Sequence, residues 1–272
     1  MFSGVQLSIL LPISYALFPM IVCRSLLLPE QSKKFCPIVI FQEIADIMAA
    51  LKIKDIIINT IIFDFDGTLA KLNIDFKQMR DTVLKLISSY GIERNYLQTD
   101  FVLEMINTSR EILSKSSPQK AEIFTNKAIK IIEAMEIEAA IHGELFSQTK
   151  ELFTRLKLSG ISTGVITRNC EKAIKIVFPD ISSYCEAVVC RDTVKNVKPH
   201  PEHLNKTLQM LNSLAENTLM IGDHPLDIQT GRNAGTCTAG VLTGHFSKSD
   251  FLNAGADFVL PQAVDILDLV TL

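Results

Sequence analysis

Short runs of apolar residues alternate with amphipathic stretches along most of the chain. Runs rich in Ile and Val occupy residues 56–65, 162–167, 186–190, 218–223, 238–243 and 257–260. Continuous apolar runs of this length are typical of parallel strands that are buried on both faces. The stretches between them have helical spacing, and Pro201 and Pro225 each stand at an expected first helical turn. This alternation predicts an α/β fold with a doubly wound parallel sheet.

One block interrupts the alternation between the first and the second predicted strand. Residues 73–140 carry no strand signal and have apolar residues at helical spacing, with Gly91 as an expected helix stop. We predict that this block is an all-helical cap domain and that residues 51–72 and 141–272 form the catalytic core. A helical insert after a strand of a parallel sheet lies at the edge where ligands bind. The alternative is a helical subdomain with no role in catalysis.

Residues 1–50 form a hydrophobic extension outside both predicted domains. Residues 5–23 carry no charge and have the length of a membrane span, roughly 17–25 residues, although Pro12 and Pro19 interrupt them. No basic residue precedes this run, which argues against a secretory signal. Two interpretations remain: a membrane anchor, or a start codon assigned too far upstream with Met48 as the true start. Under both, we expect the catalytic core to be cytoplasmic.

Composition and charge exclude several classes of function. The 272 residues are 47% hydrophobic and 21% charged, which is not the composition of a disordered chain. A formal net charge of −3 provides no overall attraction to nucleic acid, so no nucleic-acid partner is expected. The six cysteines are scattered and lack the spacing of a zinc or redox motif, so we predict reduced, buried thiols.

Acidic residues collect where the predicted strands end. Asp64 and Asp66 close the first strand and precede Gly67, which allows a sharp turn, while Asp223 and Asp227 follow a later strand. Residues i and i+2 share a strand face, and parallel strands end at one edge of the sheet, so four carboxylates are expected to converge. Either pair alone would also fit loop solvation or helix capping. Together they indicate a site for a hard divalent cation such as Mg²⁺.

Further polar residues at the predicted strand ends suggest contacts to an anion. Thr167 ends the second strand, and Arg168 and Asn169 follow it at an expected helix start, where a hydroxyl and backbone N–H groups suit a phosphate. Ordinary helix capping is the alternative there. Lys198 precedes Pro199, which favours an extended backbone. Its ammonium would neutralise a phosphate or a carboxylate, unless it is a surface charge.

Four segments of the chain resemble, in order, the four motifs of the haloacid dehalogenase-like superfamily: IIFDFDGTLA, GVITRN, VKPHPEHL and MIGDHPLDI. The resemblance covers about residues 56–270. The helical insert and the segment GVLTGHFSKSDFLNAGADFVL resemble the phosphoglycolate phosphatase-like branch. The resemblance implies a Rossmann-like core with a helical cap. It also implies a Mg²⁺-dependent phosphatase that hydrolyses a small phosphorylated metabolite through an aspartyl-phosphate intermediate.

The resemblance also implies roles for individual residues. Asp64 would be the nucleophile, and Asp66 would protonate the leaving alcohol, activate the water and offer its backbone carbonyl to the metal. Thr167 and Lys198 would hold the transferring phosphoryl group. The substrate-binding residues would be Thr167, Arg168, Asn169 and Lys198. The Mg²⁺ site would be built from Asp64, Asp66, Asp223 and Asp227.

Several alternatives remain within and beyond this superfamily. Asp66 favours phosphoryl transfer, because the dehalogenases and the phosphonatase-like members lack this second aspartate. Phosphomutases share it, and pyrophosphate and small sugar phosphates remain open as substrates. A catalytically idle binding protein of the same fold is the hypothesis from another class. Arg80 and Arg110 in the cap, and Arg168 beside Thr167, are candidates for contacting a second charged group of the substrate, with exposed structural arginines as the other interpretation.

Overall fold

A computed structural model describes residues 51–53 and 56–270 of the chain. The strands in this part are β1 Leu51–Ile53, β2 Ile56–Ile58, β3 Thr60–Phe63, β4 Ala70–Lys71, β5 Glu144–Leu145, β6 Ser162–Thr167, β7 Ala187–Cys190, β8 Thr218–Gly222, β9 Cys237–Val241 and β10 Phe258–Leu260. The α-helices are α1 Phe76–Ser89, α2 Val102–Ser114, α3 Pro118–Ile141, α4 Thr149–Leu158, α5 Glu171–Val177, α6 Ile181–Tyr184, α7 Pro201–Leu211, α8 Pro225–Ala234 and α9 Lys248–Ala254. Short 3₁₀ helices cover Arg94–Tyr96, Arg191–Thr193, Ala215–Asn217 and Ala263–Leu269.

The central sheet has six strands in the order β10-β9-β8-β3-β6-β7, and every neighbouring pair is parallel. All four residues of β3 are buried, as its continuous apolar run predicts. Ile61 and Phe63 pack into the hydrophobic core on one side of the sheet, whereas Ile62 packs into a second core on the other side. The predicted doubly wound α/β fold is therefore confirmed.

The first predicted strand, residues 56–65, is wrong as a single element. β2 pairs antiparallel with β1, and β3 ends at Phe63. The neighbours of β3 begin opposite Thr60, with Ser162 on one side and Thr218 on the other. Before Thr60, no parallel strand of the described residues pairs with β2, and an antiparallel hairpin with β1 satisfies its backbone instead. A continuous apolar run does not reveal where the partners of a strand begin.

Helices α1, α2 and α3 form a block between β4 and β5, which pair antiparallel with each other where the chain enters and leaves it. Asp75 and Ser117 cap the first and the third helix through their side chains. The third helix is continuous over 24 residues, where the pattern allowed one or two helices. The block has its own hydrophobic core, in which Met79 and Val83 of α1 and Phe124 of α3 are buried.

Residues 1–50 lie outside the described residues, so both interpretations of the extension stay predictions. In the part of the chain that the structure describes, no helix combines the length and the hydrophobicity that a membrane span needs. Cys170, Cys185 and Cys190 are buried thiols, as predicted. Burial raises the pKa of each of them to about 12, which keeps them protonated.

Candidate active site

The carboxyl ends of three adjacent strands carry the predicted polar residues. The pairing register sets Phe63 of β3 opposite Val165 of β6 and Ile221 of β8. The backbone N–H of Asp64 continues this register, because it donates to the Ile221 carbonyl at 2.8 Å. Thr167 therefore ends β6 at the same edge of the sheet that Asp64 occupies.

Three of the four predicted metal-binding carboxylates converge at this edge. Carboxylate oxygens of Asp64, Asp223 and Asp227 all lie within 4.8 Å of one another. Asp64 and Asp223 follow β3 and β8 directly, whereas Asp227 belongs to the first turn of α8. There its Oδ2 accepts a hydrogen bond from the backbone N–H of His224 at 3.1 Å. Carboxylate groups of this kind are suited to a hard divalent cation.

Glycines allow these carboxylates to approach the backbone. A Cβ atom at Gly67 or at Gly244 would lie 2.1 Å from Oδ2 of Asp223, and one at Gly222 would lie 2.2 Å from Oδ2 of Asp227. Any larger residue would displace the carboxylate that it meets. The glycine in the first motif is therefore needed for the position of Asp223, which follows another strand, as well as for the local turn.

Lys198 connects two of the three carboxylates. Its Nζ is buried and donates to Oδ1 of Asp227 at 2.7 Å and to Oδ1 of Asp64. Burial lowers the pKa of Lys198, but Asp227 and Asp64 outweigh this effect and hold the pKa above its ordinary value. The side chain is therefore a buried ammonium within the carboxylate group. The interpretation of Lys198 as a surface charge is wrong.

His203 positions Lys198, a role that the sequence reasoning missed. Its Nδ1 accepts a hydrogen bond from the backbone N–H of Lys198 at 3.3 Å, and its Nε2 lies 2.9 Å from the Val189 carbonyl. Burial lowers the pKa of His203 to about 4, so the ring is neutral and Nε2–H donates to that carbonyl. The available signal was its place on the buried face of α7, beside Leu204 and at helical spacing from Thr207.

The electrostatics of the site follow from burial and mutual repulsion. Burial raises the pKa of Asp64 to about 6, with a further contribution from Asp227 and opposition from Lys198. Burial, with Asp64 and Asp227 as secondary causes, raises the pKa of Asp223 to about 9. When all three carboxylates are ionised, the single ammonium of Lys198 leaves this group with a net formal charge of −2. A divalent cation would neutralise that charge.

Asp66 lies in a turn and not on a strand. β3 ends at Phe63, and Gly67 follows Asp66 with a φ of +83°, so the expectation that Asp64 and Asp66 share a strand face is wrong. Oδ1 of Asp66 accepts the backbone N–H of Leu72 at 2.9 Å. Burial raises the pKa of Asp66 to about 6, and the charge of Asp64 adds to the effect. Asp66 is thus a hydrogen-bonded carboxyl group beside the group of three.

One part of the expected anion site at the helix after β6 is contradicted, because the backbone N–H groups of residues 169–171 are not available to an anion. Helix α5 begins at Glu171, and the backbone N–H groups of residues 169–171 already have acceptors. These acceptors are Oγ1 of Thr167 at 3.2 Å, Oε2 of Glu136 at 3.0 Å and Oδ2 of Asp192 at 3.0 Å. Glu136 comes from the helical block, which the local pattern around Thr167 does not reveal. Asn169 itself is buried, and it is not the residue that caps α5.

Arg168 turns from the sheet edge toward the helical block. Its Nη1 and Nη2 donate to the two carboxylate oxygens of Glu104 at 2.8 and 2.7 Å, and Nη1 also donates to the Lys198 carbonyl at 2.7 Å. The guanidinium carbon lies 5.5 Å from the centre of the Phe101 ring. Of the other candidate arginines, Arg80 lies 3.9 Å from Asp100 within the helical block, and Arg110 is exposed.

A parallel α/β sheet with aspartates at its carboxyl edge and a helical insert after the first motif defines a class of hydrolases. Residues 61–241 match the family model of the haloacid dehalogenase-like hydrolases, and the chain therefore belongs to this family. This confirms the resemblance on which the assignment of the motifs depended. It also confirms that the protein is a hydrolase.

The chain is similar to named proteins over nearly their whole length. Pyrophosphatase PpaX from Bacillus cereus (strain ATCC 10987 / NRS 248) is 30% identical over 220 residues, which are 79% of this chain and 97% of that protein. A solved structure of a haloacid dehalogenase-like hydrolase from Bacteroides fragilis superposes with a TM-score of 0.58 at 23% identity, covering 77% of this chain and 99% of that one. The solved structure of a predicted phosphoglycolate phosphatase from Haemophilus somnus superposes with a TM-score of 0.55 at 17% identity. The match covers 79% of this chain and 98% of that one. The two structures share the fold.

Proposed function

We propose that this protein is a Mg²⁺-dependent phosphatase that hydrolyses a small phosphomonoester through a phosphorylated Asp64. The observation that carries the proposal is the buried ammonium of Lys198, which contacts Asp64 and Asp227 inside a group of three carboxylates. A carboxylate nucleophile attacks a negatively charged phosphate only where positive charge offsets the repulsion. Membership of the haloacid dehalogenase-like hydrolases supports the same reaction.

The three clustered carboxylates fit Mg²⁺ as the cation of this site. Asp64, Asp223 and Asp227 would hold it through their oxygens, and the resemblance implies the backbone carbonyl of Asp66 as a further ligand. When bound, Mg²⁺ would offset the charge of the carboxylates and of the substrate phosphate. The raised pKa of Asp223, about 9, supports this proposal, because burial, together with repulsion from Asp64 and Asp227, disfavours the ionised carboxylate unless a cation offsets its charge.

Asp64 is the nucleophile in the proposed reaction. One of its carboxylate oxygens forms a bond to phosphorus while the bond between phosphorus and the leaving oxygen breaks. A pKa of about 6 leaves Asp64 ionised at neutral pH. Lys198 orients this carboxylate through its hydrogen bond and places an ammonium beside the transferring phosphoryl group. The hydroxyl of Thr167, at the end of β6, donates to a phosphoryl oxygen.

Asp66 carries the proton in both steps of the proposed reaction. As an acid it protonates the leaving alkoxide, and as a base it then takes a proton from the water that hydrolyses the phosphorylated Asp64. A pKa of about 6 suits both roles near neutral pH. The hydrogen bond from the Leu72 N–H holds one oxygen of this carboxyl group, and the other oxygen carries the proton in the proposed reaction.

Release of inorganic phosphate from an aryl phosphate, with Mg²⁺ and with EDTA, tests the proposal. We expect turnover that EDTA abolishes and that Asp64→Asn reduces by at least about a thousandfold. Asp180→Asn, on an exposed carboxylate paired with Lys150, is the matched control and should keep full activity. Phosphate release that survives Asp64→Asn would refute the nucleophile assignment. If a sugar phosphate is the substrate and its phosphoryl group moves to another hydroxyl without release of phosphate, the protein is a mutase.

Pyrophosphate is the second candidate substrate. It is supported by the similarity to pyrophosphatase PpaX, which is 30% identical to this chain over 97% of its own length. The same residues would act, with a phosphate in place of the alcohol as leaving group. The ratio of kcat/KM for pyrophosphate to kcat/KM for a panel of phosphomonoesters distinguishes the two candidates.

A further inference from the structure

Arg168 lies next to two residues of the proposed site, Thr167 in the sequence and Lys198 in space. It follows Thr167 directly, and its Nη1 donates to the carbonyl of Lys198, whose ammonium contacts Asp64. Its backbone is fixed as well, because its carbonyl accepts Nη1 of Arg191 at 2.9 Å. Arg168 is therefore held to the core through both its guanidinium and its backbone carbonyl.

The partner of Arg168 is a carboxylate from the helical block. Both oxygens of Glu104 on α2 accept hydrogen bonds from the two terminal nitrogens of the guanidinium. This fork geometry is the one in which a guanidinium binds any carboxylate or phosphate. Glu104 thus occupies the position that an anionic group of a bound molecule would take.

We infer that Arg168 is the subsite for a second anionic group of the substrate, and that Glu104 fills this subsite until such a group displaces it. The inference rests on the proposed function and narrows its substrate class. The preferred substrates are phosphate esters that carry a carboxylate or a second phosphate at the end remote from the reacting phosphorus. Because Glu104 belongs to the helical block, its displacement also couples substrate recognition to the position of the block.

A second ion pair between the block and the core shows why the Glu104 pair is the exchangeable one. Glu136 and Arg191 have side chains that are only 4% and 7% exposed, and Glu136 also accepts the Cys170 N–H. Removing either partner would leave a buried charge. Glu104 and Arg168 are 32% and 20% exposed, so a released Glu104 is hydrated at little cost. The first pair holds the block in place, and the second is open to competition.

A matched pair of substrates tests the inference. Phosphoglycolate carries a carboxylate where 2-hydroxyethyl phosphate carries a neutral alcohol. We expect the wild-type kcat/KM to favour phosphoglycolate, or pyrophosphate as the second anionic probe, over 2-hydroxyethyl phosphate. Arg168→Gln should reduce that preference by about tenfold or more, and Arg168→Lys should restore part of it. Glu104→Gln should lower KM for the doubly anionic substrate several-fold more than KM for the neutral one, because the competing carboxylate is gone.

Glu133→Gln is the control for a general effect on the helical block. Glu133 pairs with Lys172 across the same two parts of the chain, at the surface, and its substitution should leave the substrate preference unchanged. The inference fails if wild type does not prefer either anionic probe, or if Arg168→Gln lowers kcat/KM for all substrates by the same factor. Calorimetric titration of the Asp64→Asn variant with both matched compounds measures the preference without turnover. Absence of phosphate release with a retained binding preference would refute the proposed function and leave the subsite standing.

Discussion

Glu136 on α3 accepts hydrogen bonds from both terminal nitrogens of Arg191, which follows β7, and its Oε2 also accepts the backbone N–H of Cys170 at the start of α5. One carboxylate of the helical block thus neutralises a buried guanidinium of the core and supplies a helix acceptor. The position of Arg191 matters for the site, because its guanidinium donates a hydrogen bond to the Arg168 carbonyl. The pair joins the structure of the block to the edge where the aspartates lie.

Glu136→Ala should destabilise the protein by about 3–5 kcal/mol, since it leaves the Arg191 guanidinium buried without a counter-charge. Chemical denaturation of the purified protein measures the loss as a lower midpoint. The control is Glu133→Ala on the same helix, whose partner Lys172 is largely exposed, and we expect its midpoint to match wild type. Equal effects of the two substitutions would contradict the special role of the buried pair.

Asp66→Asn should slow substrates in proportion to the basicity of their leaving group. An alkyl phosphate needs a proton on its leaving oxygen, and its kcat should fall by about 10²–10⁴-fold. An aryl phosphate with an acidic phenol as leaving group needs less protonation, so the rate of phosphorylation of Asp64 should fall much less. Single-turnover measurements give the ratio of the wild-type rate to the variant rate for each substrate. A uniform reduction across leaving groups would argue against Asp66 as the general acid.

Asp223→Asn should stabilise the metal-free protein, and the gain should increase with pH. The folded-state pKa of Asp223, about 9, lies above its ordinary value of 3.8. The stability that protonated Asp223 contributes is therefore complete at low pH and is lost as pH rises toward 9, because the folded state must retain a proton that the unfolded chain releases. Asparagine carries no such proton. In EDTA, we expect the free energy of unfolding of the variant to equal that of wild type near pH 4 and to exceed it by on the order of 1 kcal/mol at pH 8. A gain independent of pH would contradict this account.

The increase in Tm on adding Mg²⁺ should grow between pH 5 and pH 8. Binding the cation requires ionised carboxylates, whereas Asp64 and Asp223 have pKa values raised to about 6 and about 9 in the absence of metal. Protons therefore compete with Mg²⁺ at low pH. Differential scanning fluorimetry at fixed Mg²⁺ concentration gives the trend, and Asp223→Asn should remove most of it. A constant shift across this range would mean that the cation binds elsewhere.

Gly244→Ala should weaken Mg²⁺ binding while leaving the fold intact. The added Cβ would meet Oδ2 of Asp223 at 2.1 Å, so the carboxylate must leave its position in the group of three. We expect the Mg²⁺ concentration at half-maximal activity to rise by about tenfold or more, with Tm in EDTA close to that of wild type. An unchanged Mg²⁺ dependence would show that Asp223 is not a ligand of the catalytic cation.

Local patterns were sufficient to predict the parallel sheet and the site residues at the carboxyl ends of its strands. Buried parallel strands require continuous apolar runs, and residues that follow such strands must lie at one edge, so Asp64, Thr167 and Asp223 could be placed from the sequence. The same reasoning was wrong for β2 and for the turn at Asp66. An apolar run records burial, but it does not record where the neighbouring strands begin or end.

Contacts between distant segments could not be read in this way. Glu136 and Arg191 are 55 positions apart, and Glu104 and Arg168 are 64 apart. Glu136 stands on the buried face of α3, four positions after Ile132, but that spacing does not identify its partner. The His203 ring is likewise fixed by a distant contact, because α7 packs against β7 and places Nε2 beside the Val189 carbonyl. A charged residue on an amphipathic helix has no local feature that names its partner.

The sequence by itself determined the α/β class and the edge of the sheet that carries the site. It also identified the carboxylates and the lysine at that edge, because short-range patterns indicate which strands are buried and where they end. Only the tertiary structure decided that β3 ends before Asp66, that Glu136 and Asp192 accept the backbone N–H groups of Cys170 and Glu171, and that Glu104 fills the guanidinium fork of Arg168. Each of these depends on which distant groups meet, and that depends on the packing of the helical block and the strands together.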